Sequence, residues 1–220
     1  MLSSLILILF ASVHAHAQES ILDKPISIRA LYGREFQQIC LALQVPCAIE
    51  INADGLPLVD PTYGLELSTA NSVSIQNTKA TVVLDDVIRR YPKHRWSYAA
   101  GVLRVYPRGK ISKNSLDAPL GKIDLRDQPL DAIFRTIEEK ANLLSARAIM
   151  RPGKFPINPN PRHCSLAINE ATARQALTMA VVKTGHAAWI VRHEKTFRGP
   201  ITWIELLDYD LAVQAGDATK

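Results

Sequence analysis

The chain has 220 residues, 47% of them hydrophobic and 21% charged, with 13 Pro and 10 Gly. That balance excludes a wholly disordered chain, a collagen-like fibre and a coiled coil, and leaves room for one large domain or two small ones. Twenty-six Lys and Arg against 21 Asp and Glu give +5, which favours an anionic partner but falls far short of a dedicated nucleic-acid binder.

Leu5 to Phe10 is an unbroken apolar run, and Ala15-His16-Ala17 after it fits the small-x-small site of a signal peptidase. Residues 1–17 are therefore expected to be a cleaved signal peptide, with the mature chain starting at Gln18 and located in the periplasm or outside the cell. A membrane anchor needs about 20 apolar residues, and this run is too short. Three cysteines, Cys40, Cys47 and Cys164, form no C-x-x-C pair, so neither a zinc ribbon nor a thioredoxin-like site is indicated. In an exported chain one disulfide and one buried thiol are expected. Cys40 lies on an apolar helix stripe and Cys47 shares the parity of Ile49 and Ile51 on the next strand, which makes Cys40–Cys47 the candidate bond.

The rest of the chain is written twice. Ile26-Ser27-Ile28-Arg29 returns as Ile123-Asp124-Leu125-Arg126, each alternating as a half-buried strand does. An amphipathic helix follows in both copies, with Phe36, Ile39, Cys40 and Leu43 in the first and Leu130, Ile133, Phe134 and Ile137 in the second. Asp127 is the expected N-cap of the later helix, with Pro129 in its first turn. Strands are expected at Cys47–Ile51 and Ser145–Met150. Proline-bearing loops come next, the second with Pro152, Pro156, Pro159 and Pro161.

Each copy then adds a strand (Val73 and Ile75; Leu166 and Ile168) and a helix (Leu84 and Ile88; Leu177 and Val181). Thr172 and Gln175 form a capping-box pattern. Pro92 and Gly185 end these helices, and Trp96 and Trp189 occupy the same place in the following strand. The first copy closes with a hairpin through Ala99-Ala100-Gly101 into Val102–Tyr106. The second uses a longer turn, His193 to Pro200, into Ile201–Leu207. The expected fold class is α+β, two tandem β-α-β-β-α-β-β domains, each with two helices packed on a small mixed sheet. Their bounds are 24–110 and 121–210, with a linker at 111–120 and a flexible tail at 211–220, and each is expected to fold independently.

This pattern resembles the short N-terminal periplasmic domain of secretins and TonB-dependent transducers. The most family-like stretch is Arg95-Trp96-Ser97-Tyr98 followed by Val102-Leu103-Arg104-Val105-Tyr106-Pro107. The resemblance is close over Ile26 to Arg108 and weaker over Ile123 to Leu207. It implies a module for protein–protein contact in the cell envelope. It carries no catalytic signature, and the chain has neither the pore domain of a secretin nor the barrel of a transducer.

No G-x-S-x-G, H-E-x-x-H, Walker loop or G-x-G-x-x-G occurs. The histidines of the mature chain, His94, His163, His186 and His193, have no i, i+4 partner, so no metal site and no cofactor are expected. His163 and Cys164 point to opposite faces of a strand, which argues against an activated thiol. Glu138 and Glu139 are expected on a solvated helix face. From Arg89 to Lys113 there are eight cations and no acid, interleaved with Tyr91, Trp96, Tyr98 and Tyr106. Asp85 and Asp86 are placed to pair with Arg89 and Arg90 along the helix.

The candidate partner-binding surface is Arg95, Arg104, Arg108 and Lys110 in the first copy and Arg147, Arg151 and Lys154 in the second. The leading expectation is a non-catalytic exported adaptor for an envelope protein. The alternatives are a binding module for an anionic polymer, cell wall or nucleic acid, and a hydrolase with an irregular site in the 54–72 or 151–162 loop.

Overall fold

The computed structural model describes residues 21–31, 34–52, 72–108, 115–145, 161–196 and 199–210. The expected signal peptide, most of both proline-bearing loops and the tail lie outside the described residues. In chain order the elements are β1 (Pro25–Leu31), α1 (Glu35–Leu43), β2 (Cys47–Asn52), β3 (Ser72–Lys79), α2 (Ala80–Arg89), β4 (His94–Ala99) and β5 (Val102–Pro107). A 3-10 turn at Ser115–Asp117 leads to β6 (Ile123–Pro129), α3 (Leu130–Lys140), β7 (Leu144–Ser145), β8 (His163–Ile168), α4 (Ala173–Thr184), β9 (Ala187–Thr196) and β10 (Gly199–Asp208). The class is mixed α+β.

The helices form where the apolar spacing places them. Phe36, Ile39, Cys40 and Leu43 are all buried on α1, and Leu130, Ile133, Phe134 and Ile137 on α3. α4 carries the capping box. Thr172 Oγ1 accepts from the Gln175 N–H at 3.3 Å, and the Thr172 N–H donates to Gln175 Oε1 at 2.9 Å. Gly185 ends α4 at φ 69°, a left-handed position that costs an L side chain strain. Ala100 and Gly101, at φ 51° and 74°, make the two-residue turn between β4 and β5, both in the left-handed region that a primed hairpin turn requires.

Local departures have local causes. β6 runs on through Pro129, so Asp127 is not the N-cap of α3; Pro129 holds that place without a side-chain cap. Asp127 instead sits at φ 45° in a bulge, its N–H donating to Ser165 Oγ at 3.0 Å. β9 and β10 are ten residues each, so the expected turn from His193 to Pro200 is mostly strand. Glu138 is buried because it falls between Phe134 and Ala141 on the apolar side of α3.

The largest departure concerns how the copies relate. In place of one sheet per copy, a six-stranded sheet in the order β4-β5-β2-β9-β10-β7 runs through both. β2 pairs in parallel with β5 of its own copy and, on its other side, with β9 of the second copy, from Cys47 opposite Ala188 to Asn52 opposite His193. The reason is readable in burial. All of Cys47–Ile51 and all of Ala187–Val191 are buried, and a strand covered at every position must have a layer on both faces.

Helices α1 and α2 pack on one face with Cys47, Ile49, Ile51, Ala188 and Ile190. Helices α3 and α4 pack on the other with Ala48, Ala187, Trp189 and Val191. The ladders β1–β3 and β6–β8 lie against the helices of their own copies. The linker belongs to this architecture too, since Leu116 and Leu120 are buried in the second core.

The join is head to tail. β4, β5 and β2 correspond to β9, β10 and β7, so the edge that β2 offers is met by the counterpart of β4. β4 itself is left as the end strand. Its residues Arg95 and Ser97 stand where β9 has buried Ala188 and Ile190, and polar residues there suit a strand that faces solvent.

Candidate functional site

On the face of the sheet that α3 and α4 cover, the described residues leave the β4–β5 hairpin largely exposed, forming a shelf. Strand parity sends Trp96 and Tyr98 to the α2 side, where they pack on the first core, and Arg95, Ser97, Arg104 and Tyr106 to the shelf. The Arg95 guanidinium lies 4.7 Å from the centroid of the Tyr106 ring, a cation–π contact. Arg95 and Arg104 are exposed, and neither has a carboxylate partner among the described residues. Arg108, also exposed, donates from Nε to the His94 carbonyl at 2.8 Å.

Between the shelf and α4 runs an open cleft of about 700 Å³, bordered by Ser97, Arg104, Tyr106, Glu170, Met179 and Trp189 among others. At its base lies a buried polar network. Glu50 on β2 is 1% exposed and is held by Arg174 of α4 and by His193 Nε2 of β9 at 2.8 Å. Arg174 also reaches Asp117 at 3.3 Å, and His193 Nδ1 lies 3.1 Å from Thr202 Oγ1. The tautomer that satisfies both contacts donates from Nε2 to Glu50 and accepts from the Thr202 hydroxyl at Nδ1. Burial, with Arg174 beside it, holds the His193 pKa below its ordinary value. These contacts link β2 of the first copy to α4 and β9 of the second across the β2–β9 seam.

The other expected groups are placed as follows. Asp86 serves both Arg89 at 2.7 Å and Arg90 at 2.9 Å, while Asp85 accepts from Trp96 Nε1 at 2.9 Å instead of pairing with Arg89. Arg90 is therefore spent on structure, and it also lies 3.6 Å from Glu35, a fully buried carboxylate that accepts from the Tyr91 hydroxyl at 2.7 Å. Arg162, at the end of the second proline-bearing loop, pairs with Asp210 at 2.6 Å. Lys110, Arg147, Arg151 and Lys154 lie outside the described residues, so of the candidate cations the structure brings together Arg95, Arg104 and Arg108.

Cys40 and Cys47 are bridged, with their Cα atoms 6.3 Å apart. Burial pushes the free Cys164 thiol up, with Lys183 opposing, and His163 turns to Asp127 at 3.4 Å. Among the described residues no group of three His, Cys, Asp or Glu side chains is placed to hold a metal, and no helix is long and apolar enough to cross a membrane. Comparisons with protein-family models, curated proteins and solved structures give no match to this chain.

Proposed function

We propose that this protein is a non-catalytic adaptor of the cell envelope, exported through a signal peptide at residues 1–17, that binds a partner protein on the shelf of the β4–β5 hairpin. The observation that carries this role is the pairing state of the cations: among the described residues Arg95 and Arg104 are exposed without a carboxylate partner, whereas Arg90, Arg162 and Arg174 each have one. Among the described residues these cations lie beside the end strand of the sheet, an arrangement that suits an acidic partner, which electrostatics steers and the sheet then orients. The resemblance to the secretin and transducer short N-terminal domain supports the same role.

The test is capture from an envelope extract with the mature chain, comparing wild type with the double variant Arg104→Glu, Arg108→Glu. Both residues are exposed, so the variant should stay folded, its unfolding temperature lowered only slightly by loss of the Arg108 hydrogen bond to the His94 carbonyl. Its association should slow several-fold, and raising salt should imitate the effect. Binding indifferent to both changes refutes the role of the shelf.

An anionic polymer is the second reading, favoured by the Arg95–Tyr106 stack beside Arg104. Its signature is an affinity that falls linearly on logarithmic axes with salt and is shared by unrelated polyanions. A hydrolase would need groups from the 54–72 or 151–162 loops.

A further inference from the structure

The shelf ends in β4, which among the described residues pairs on one side only, and the register of the hairpin says which of its backbone groups face away from β5. Ala100–Gly101 closes on Ala99 opposite Val102, with Ser97 opposite Arg104 and Arg95 opposite Tyr106. The Arg108 N–H donates to the Lys93 carbonyl at 2.6 Å, which continues the same alternation. Residues 93, 95, 97 and 99 therefore exchange their hydrogen bonds with β5. The N–H and C=O groups of Trp96 and Tyr98 point away from the sheet, and β4 is the end strand of the sheet as described.

The two faces beside that edge differ in charge. On the shelf side stand Arg95 and, across the hairpin, Arg104. Of the carboxylates in the cleft, Glu50 is ion-paired with Arg174 and hydrogen-bonded by His193, and Glu170 lines the cleft in the turn before α4. On the α2 side stand the half-buried rings of Trp96 and Tyr98, together with the Asp85 carboxylate. A strand laid against β4 sends alternate side chains to these two faces. One set meets arginines; the other meets aromatic surface and a carboxylate that repels acids.

We propose that β4 accepts an extended acidic segment of a partner protein as a seventh strand, with acidic residues at alternate positions facing Arg95 and Arg104 and apolar residues between them facing Trp96 and Tyr98. The proposal rests on the shelf being the binding surface, and it adds the mode of binding and the sequence pattern of the ligand. Main-chain hydrogen bonds supply affinity, and the alternating side chains supply the selection.

The test uses the mature chain and short synthetic peptides. One alternates Glu and Val. A second has the same composition with the residues grouped, and a third alternates Lys and Val. The alternating acidic peptide should bind about tenfold more tightly than the grouped one, a difference of about 1.4 kcal/mol, and the Lys peptide should not bind. Hydrogen exchange of the Trp96 and Tyr98 amides should slow on binding. Tyr98→Pro, which removes an outward N–H without touching the β5 ladder, should abolish the preference for alternation while the grouped peptide still binds weakly.

Equal affinity for the two acidic peptides with unchanged exchange at Trp96 and Tyr98, both still sensitive to Arg104→Glu, overturns strand addition and leaves the shelf role standing. Absence of binding by either acidic peptide at low salt overturns both. Equal binding of the Lys peptide overturns the acidic specificity.

Discussion

Replacing Arg174 with Met keeps most of the apolar stem of the side chain but withdraws the guanidinium from Glu50, whose own side chain is 1% exposed. Removing one partner of a fully buried ion pair costs about 3–5 kcal/mol, because the remaining charge has lost its water and gained nothing. Here part of that is screened. Arg174 is 26% exposed, and Glu50 keeps the imidazole of His193 at 2.8 Å. The expected loss is about 2–3 kcal/mol, equivalent in a chain of this size to a fall in Tm of roughly 4–12 °C.

Urea unfolding followed by circular dichroism measures it. The double variant Glu50→Leu, Arg174→Met should recover at least half of the loss, since it removes the buried charge and only the partly exposed Asp117 still loses its contact with Arg174. Stability within about 0.5 kcal/mol of wild type in the single variant, or a double variant no better than the single, would show that the seam is not held as described.

Three further outcomes are expected. Polypeptides covering 24–110 and 119–210 should each fail to unfold cooperatively when alone, because each exposes a strand of the seam whose residues are apolar on both faces, and mixing them should restore a transition; cooperative unfolding of either half alone contradicts this. Reducing the Cys40–Cys47 bond should lower stability by about 2.5 kcal/mol, the loop-closure value for so short a span, measured by unfolding with and without reductant; no change would mean that the bond is not formed in solution. Burial lowers the folded-state pKa of both His94 and His193. The unfolded chain therefore takes up protons that the folded chain resists, so stability is full above about pH 6.5 and falls as pH drops toward the lowered values. Urea midpoints at pH 7.5, 6.5 and 5.5 should descend, and His193→Gln should flatten the slope; a constant midpoint refutes it.

The repeat, the helix faces and the capping box were legible because each depends on spacing within a few residues. Phe36-x-x-Ile39-Cys40-x-x-Leu43 can bury only one face of a helix, and Thr172 with Gln175 can satisfy only each other's backbone. The seam was not legible from the repeat, since each copy looks complete by itself. The signal lay elsewhere, in Cys47-Ala48-Ile49 and Ala187-Ala188-Trp189-Ile190-Val191, runs with no polar alternation that demand cover on both faces. Glu50 interrupts the first run and reads as an exposed position. Its partner Arg174 is 124 residues away, beyond any local spacing rule.

Sequence separation likewise hides the pairing of Glu35 with Tyr91, 56 residues apart. For the basic stretch, composition located the charge, but only the fold separates Arg90, spent on Asp86 and Glu35, from Arg95 and Arg104 on the shelf.

The continuity of the sheet across the two copies governs everything placed on it, from the Glu50 network to the position of β4 as an end strand. Cross-strand amide contacts measure it directly. A ¹⁵N-edited NOE spectrum of the mature chain should connect β2 with β9 through the register Ala48–Trp189, Ile49–Ile190 and Glu50–Val191. Those connections are what the shared sheet requires. Their absence, with β2 and β9 each showing contacts only within its own copy, would contradict it.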